Sequence, residues 1–403
     1  MTVAQAEPGL AERLIPYVRQ VMAIQTVTAG GPRTEYRARF DGRLFIDSQE
    51  AFDRLQEPFN REGVRVVFRR GGPAHLILAV AMPRPRRSNP WINLVLFLAT
   101  SATVLLAGLA YSAGYRSAGA GLDAPPSIDL LLDLPLGIAF AVSLLSILSA
   151  HEFGHYLAAR FHGTEVSLPY FLPLPSQLGT LGAFIQLKEP PRDRRALLDI
   201  GLSGPVAGLA VAIPVLALGL YLSDVSRLPA SPEALRGLTL EGNSILYLSM
   251  KYLITGKLLP EPVSYGGVSP LLYWIRYVVT AQPAPVGGLD VLLHPIAWAG
   301  WAGLLVTALN LIPAGQLDGG HVLYVLVGRL TDWVRPLLIL GLLALGTFWA
   351  GWWIWAFLLF FLGRGHARPL DEITPLNPRR RFAAMLALVV LLLLFMPVPL
   401  VQF

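Results

Sequence analysis

The chain is 403 residues long, 54% hydrophobic and only 14% charged, against about 25% charged residues in soluble domains, which excludes an ordinary soluble domain and places it in a membrane. Its formal charge of +6 does not point to nucleic acid, because the arginines stand at the ends of apolar segments, where they set topology. Without cysteine, disulfides, thiolate catalysis and Cys-ligated metal are excluded, leaving His, Asp, Glu and Asn as metal ligands.

The opening MTVAQAEPGLAERL has no basic region leading into an apolar run, so a cleavable signal peptide is not expected. Residues 1–88 read as a small soluble α+β domain. AERLIPYVRQVMAI has helical periodicity, EYRARF and VRVVFRR alternate, and HLILAVAM reads as a more buried strand. SQEAFDRLQEPFNREG opens on a Ser cap and ends on Gly. No chemistry is legible there; recognition or regulation is the role left to it. Arg84, Arg86 and Arg87 precede a first span at 91–113, which puts the domain and the N-terminus on the cytoplasmic side. The next segment carries Asp123, Asp129 and Asp133 against Arg116, as an outside loop would. A second span, 134–161, returns inward and leaves His151 nearer the cytoplasmic face.

Residues 162–195 are rich in Pro and Gly, with VSLPYF and GAFIQLK as short strands. Non-helical backbone at membrane depth needs a cavity or protein around it, so a β-hairpin or sheet edge beside a site is expected. Arg192, Arg194 and Arg195 open a third span, 196–222, whose GLSGPVAGLA reads as small residues for helix packing. Residues 223–290 form a longer connection, with YLSMKYLITGKLL and PLLYWIRYVV placed at the membrane interface. A fourth span, 292–327, is broken by Pro313 and by Gly315, Gly319 and Gly320. Residues 335–362 are long enough for one tilted span. Arg329 and Arg335 before them and Arg364 and Arg368 after favour two short helices turning at Gly346–Gly351, which keeps both flanks inside. A last span covers 382–400. The fold class expected is a polytopic α-helical membrane protein of about six or more spans, with a core at 89–330 and C-terminal helices at 331–403.

Inside the second span lies SAHEFGHYLAAR. His151 and His155 share one helical face. Glu152 is rotated away from that face, where it can take a proton from a metal-bound water, which is the mechanical content of H-E-x-x-H. Zinc then needs a third ligand and an open position. A His–Glu–His cluster that only bonds neighbouring helices is the weaker reading, because ionisable groups inside a span are costly and mark function. Asp318, in NLIPAGQLDGGH, fits the third ligand best: it lies late in a span of matching direction, behind a helix break at Pro313. His321 is the second choice, more readily a neighbour of the site. The Asn310 amide suits a developing oxyanion, with a helix–helix hydrogen bond an equal reading. Ser176 and Gln177 are expected to line the cleft. His75, His162, His294 and His366 read as structural or surface residues.

HEFGH, GTLGAF, SGPVAGL and NLIPAGQLDGGH, in that order, closely resemble the site-2 proteases, the intramembrane zinc metalloproteases. The resemblance covers about residues 90–330 of the chain. It implies a core of three helices with others around it, one Zn²⁺ per chain on His151, His155 and Asp318, Glu152 as general base and acid, and Asn310 helping to hold the scissile carbonyl. It implies membrane protein substrates with transmembrane segments, cut within or near the bilayer. Strand residues Gly179, Thr180, Gly182 and Phe184 would line the cleft and pair with extended substrate. No PDZ-like insertion is visible, and GTEVSLPYFLPLP with GNSILY is similar to the plastid and cyanobacterial branch, so a bacterial plasma membrane or a plastid-type membrane is expected. The readings set against it are a catalytically silent membrane scaffold or chaperone, which would have lost part of the metal set, and a metal transporter, which would spread ligands along a path.

Overall fold

A computed structural model describes residues 9–31, 33–82, 88–119, 128–230, 239–362 and 368–402. Arg84, Arg86, Arg87, Asp123, Arg364 and His366 lie outside them. The N-terminal part runs α1 (Leu10–Val18), β1 (Met22–Ala29), β2 (Ala38–Leu44), α2 (Ser48–Arg61), β3 (Val64–Gly71) and β4 (Ala74–Ala81). The strands form an antiparallel sheet in the order β1-β2-β4-β3. Asp47 caps α2 by accepting from the Gln49 amide at 2.8 Å. The sheet and helices close over Leu14, Phe40, Phe52, Phe59, Phe68 and Ile77. The helix expected to run through residue 24 stops at Val18, and Met22 pairs with Leu44 as a strand. Val18, Val21 and Met22 are all buried, so a helical stripe and the inward positions of a strand coincide there and periodicity cannot separate them.

Among the described residues three helices are long and apolar enough to cross a membrane: α3 (Pro90–Gly119), α4 (Leu130–Phe161) and α5 (Arg194–Tyr221). They carry apolar residues on every side, and Leu131, Val142, Leu157, Val206 and Leu218 remain exposed. Asp129 belongs to no free acidic loop: its carboxylate accepts from the Leu131 and Leu132 amides and caps α4. Asp133 is buried inside α4 and pairs with Arg116 at 3.1 Å, tying the last turn of α3 to the first turn of α4.

Between α4 and α5, β5 (Tyr170–Pro173) and β6 (Thr180–Phe184) form the expected antiparallel hairpin, extended by a Val166–Leu187 bridge. The Asn93 amide on α3 donates to the Leu168 and Pro169 carbonyls at 2.9 Å, and Thr103 Oγ1 donates to the Gly179 carbonyl at 2.6 Å. Gly179 has φ +74°, and a Cβ there would lie 2.4 Å from the Thr103 carbonyl. The hairpin can therefore seat this closely on α3 only with glycine.

After α5 come β7 (Asp224–Arg227), β8 (Thr239–Glu241), α6 (Ile245–Thr255), α7 (Pro270–Thr280) and β9 (Leu289–Leu292), with β7 paired to β9. Lys251 on α6 is fully buried, with Nζ 3.5 Å from Glu241 and 3.9 Å from Asp290. Tyr247 Oη donates to the same Glu241 at 2.9 Å. The charge that interrupts this apolar segment thus fastens α6 to β8 and β9.

The fourth apolar stretch breaks where expected, into α8 (Pro295–Asn310) and α9 (Asp318–Val327). Next, α10 (Thr331–Leu345) and α11 (Gly351–Leu362) pack as a helical hairpin, with Trp353 Nε1 donating to the Leu343 carbonyl. The last helix, α12 (Pro378–Leu394), stops short of residue 400; β10 (Leu400–Gln402) follows and pairs with β8. Pro397 and Pro399 cannot continue a helix.

The N-terminal sheet does not hang free. The Phe68 amide on β3 donates to the Leu370 carbonyl at 2.8 Å. The Leu370 and Asp371 amides donate in turn to the Pro191 and Arg192 carbonyls, just before α5. Arg65–Glu189 at 3.0 Å and Arg192–Asp53 at 2.7 Å flank this ladder.

Candidate metal centre

The last third of α4, the first half of α5 and the α8–α9 break converge on one cavity of about 180 Å³. Four residues apart on α4, His151 and His155 point the same way, as the helical repeat requires. Asp318 is the first residue of α9, in the first turn, where the helix dipole favours a carboxylate. His151 Nε2 lies 3.2 Å from His155 Nε2 and 3.2 Å from Asp318 Oδ2. His155 Nε2 lies 3.2 Å from Asp318 Oδ1. Among the described residues this is the group of His, Asp and Glu able to share a metal ion.

The donor set fits zinc. Ligands bound tetrahedrally at 2.0–2.1 Å stand about 3.3 Å apart, close to the separations found. His155 Nδ1 lies 2.7 Å from the Ile200 carbonyl. A carbonyl only accepts, so Nδ1 carries the proton and Nε2 keeps its lone pair for a metal. Ser203 Oγ donates to that same carbonyl at 2.7 Å. Lone pairs gathered this closely repel unless a cation or proton sits among them.

Glu152 is buried at 4% exposure. Its carboxylate takes a backbone hydrogen bond from Ile185, just past β6, while Oε2 has no partner among the described residues. A buried carboxylate oxygen without a donor calls for a water or another proton source. The Asn310 amide nitrogen lies 3.2 Å from His151 Nε2, so it stands at the ligand cluster.

The cavity wall includes Phe184 and Ile185 from the hairpin and Gln316 and His321 from the α8–α9 break. Of the expected strand residues, Phe184 reaches the cavity. Gly179, Thr180 and Gly182 lie further along the hairpin, where Thr180 Oγ1 donates to the Leu172 carbonyl. Ser176 and Gln177 are also absent from the wall, and Gln316 and His321 stand there instead. His162 meets Asp199 at 3.0 Å, His294 caps α8, and His75 Nδ1 accepts from the Leu44 amide.

One contribution escaped the sequence reading. The small residues of α5 do more than pack helices: a Cβ on Gly204 would lie 2.0 Å from His155 Nε2, and one on Gly208 3.1 Å from His151 Nδ1. Their four-residue spacing, the same as that of the two histidines, was the available signal.

A model of peptidase family M50 matches residues 139–337, the stretch that contains every residue of this cluster. The chain is 32% identical over 281 residues to "Probable zinc metalloprotease EGY1, chloroplastic" of Arabidopsis thaliana, covering 68% of this chain and 45% of that protein. "Probable zinc metalloprotease EGY2, chloroplastic" of the same plant is 30% identical over 282 residues, 69% of this chain and 44% of that one. "Probable zinc metallopeptidase EGY3, chloroplastic" is 28% identical over 265 residues, 62% and 41%. The chain thus spans less than half the length of these curated relatives. No solved structure matches it significantly.

Proposed function

From the premise that this chain carries a peptidase family M50 domain at residues 139–337, we propose that it is an intramembrane zinc metalloprotease. Its substrates are proteins with transmembrane segments, cut within or near the bilayer. One observation carries the reading: the two His Nε2 atoms stand 3.2 Å apart and each lies 3.2 Å from an oxygen of Asp318, beside a buried carboxylate oxygen with no partner among the described residues.

His151, His155 and Asp318 would hold the ion, with the Ile200 carbonyl orienting His155. Zinc held there would supply Lewis acidity toward a peptide carbonyl and a water acidified toward a pKa of about 7. Glu152 Oε2 takes the proton of the attacking water and returns it to the leaving amine. Asn310 Nδ2 donates to the carbonyl oxygen as charge develops on it. The β5–β6 hairpin, reaching the cavity through Phe184, receives an unwound stretch of substrate by strand addition, with Gly179, Thr180 and Gly182 on the same strand run. The bond to be cut must be extended, because a helix keeps its carbonyls hydrogen-bonded.

The remaining apolar helices belong to the same bilayer, α8 with α9 as one interrupted crossing and α12 as the last. Residues 1–88 lie on the cytoplasmic side as a separate domain, 89–330 make the protease core and 331–403 the C-terminal helices. The full set of His151, Glu152, His155 and Asp318 gives no support to a catalytically silent scaffold.

The test uses membranes holding the full chain and a tagged single-span substrate. Wild type is expected to release a shortened product that Glu152→Gln and His151→Ala do not. Cleavage by either variant at the wild-type rate sinks the mechanism. Comparing membrane proteomes of wild type and Glu152→Gln then names the substrates, as the single-span proteins that accumulate.

A further inference from the structure

A second cavity, of about 370 Å³, opens at the seam between the N-terminal sheet, the start of α5 and the end of α9. Arg70 from β3 and Arg194 from α5 line it, with Tyr324, Leu326, Val327 and Glu372. Each guanidinium has a neutral partner: Arg70 donates to the Ile373 carbonyl at 3.3 Å, and Arg194 to the Val325 carbonyl. A guanidinium has five N–H donors, so most of theirs are left over. Among the described residues neither forms an ion pair, and the two are close enough to repel one another.

The acid nearby is already engaged. Glu372 accepts from Tyr324 Oη at 2.6 Å and lies 3.6 Å from Arg69. Asp371 is buried and accepts from the Ile373 and Thr374 amides. Arg368 adds its positive charge to the same neighbourhood. Two arginines thus line a cavity whose one lining carboxylate, Glu372, is already engaged. Leu326 and Val327 give it one apolar wall, with Val327 and Leu330 exposed beyond.

We propose that this seam binds a phosphate-bearing anion, held in the forks of Arg70 and Arg194. Planar guanidiniums match phosphate oxygens two at a time, and a phosphate with more than one charge answers both. Cavity size suits a phosphate with a small polar body attached, within the usual range of about 300–1,000 Å³ for ligand sites. The ligand is either a phospholipid head group, its chains along Leu326 and Val327, or a soluble phosphate compound. Its place has a consequence. Arg194 opens α5, which carries Ile200, and Tyr324 belongs to α9, which begins at Asp318. An anion there joins the N-terminal sheet to both helices that complete the metal centre.

The experiment reads binding, so it stands or falls apart from proteolysis. The thermal unfolding midpoint of the full-length protein is measured in detergent against inorganic phosphate, with chloride at matched ionic strength as control. It is measured again in phosphatidylcholine vesicles with and without phosphatidylglycerol. One probe is expected to raise the wild-type midpoint by about 3 °C or more at saturation. A rise with inorganic phosphate identifies a soluble ligand; a rise with phosphatidylglycerol alone identifies a head group. Arg70→Gln, at an exposed residue, is expected to weaken the apparent affinity at least about tenfold, and Arg194→Lys to weaken it while keeping the charge. No rise with either probe, or a response of Arg70→Gln equal to wild type, overturns the proposal.

Discussion

Gly204 on α5 lies against His155 on α4 so closely that a Cβ on the glycine would stand 2.0 Å from Nε2. The His155 imidazole of the candidate metal centre thus has its place because the neighbouring helix carries no side chain there. Gly204→Ala is expected to push the imidazole aside, leaving zinc per chain well below one by elemental analysis, with metal affinity down at least about tenfold. Gly208→Ala, at 3.1 Å from His151 Nδ1, needs a smaller shift and should retain more metal. Equal zinc in Gly204→Ala and wild type sinks this account of α5.

Asn310 separates metal binding from catalysis. Its amide stands 3.2 Å from His151 Nε2 but is a poor zinc ligand beside two imidazoles and a carboxylate. Asn310→Ala should keep zinc near one per chain and lower kcat about 10²–10³-fold, the usual cost of an oxyanion donor. Loss of zinc together with activity would instead make Asn310 a support for His151.

The buried cluster around Lys251 predicts a pH effect away from the metal. Burial holds the Asp290 carboxyl above its ordinary 3.8, at about 7, with Lys251 pulling it down and Glu241 pushing it up. The folded protein therefore binds this proton more tightly than the unfolded chain. Its stabilising contribution is complete below about pH 4 and declines as pH rises to about 7. Asp290→Asn should flatten that part of the pH dependence of the thermal midpoint, which moves about 2–4 °C for each kcal/mol. An unchanged slope between pH 4 and 7 rejects the assignment.

Asp371 locks the seam beneath the core. It is buried, and it accepts from the Ile373 amide at 2.7 Å, the Thr374 amide at 3.2 Å and Thr374 Oγ1. Asp371→Ala leaves those donors unsatisfied, at a cost of about 1–3 kcal/mol. Limited proteolysis should cut residues 368–374 sooner in this variant, while the metal content of the core stays at the wild-type level.

By itself the sequence determined the local placement of the candidate ligands. An H-E-x-x-H on an apolar helix places two imidazoles on one face by the geometry of the helical repeat alone. Pro313 with the glycines of the DGG segment announced a break, and the break delivers Asp318 at the head of α9. The β-hairpin was legible for the same local reason, alternation bounded by turn residues. Only the tertiary structure decided what depends on packing between distant segments. Which residues of the hairpin reach the cavity turned on how Gly179 seats against Thr103. That the glycines of α5 serve the histidines turned on which face of α5 meets α4. In the N-terminal sheet, burial made the start of a strand look helical as far as Ile24. The segment of Lys251 read as interfacial because nothing local reveals that Lys251, Glu241 and Asp290, from three segments, are buried together. Local geometry repeats along the chain and is written in spacing; burial is a relation between segments, fixed only when the chain closes on itself.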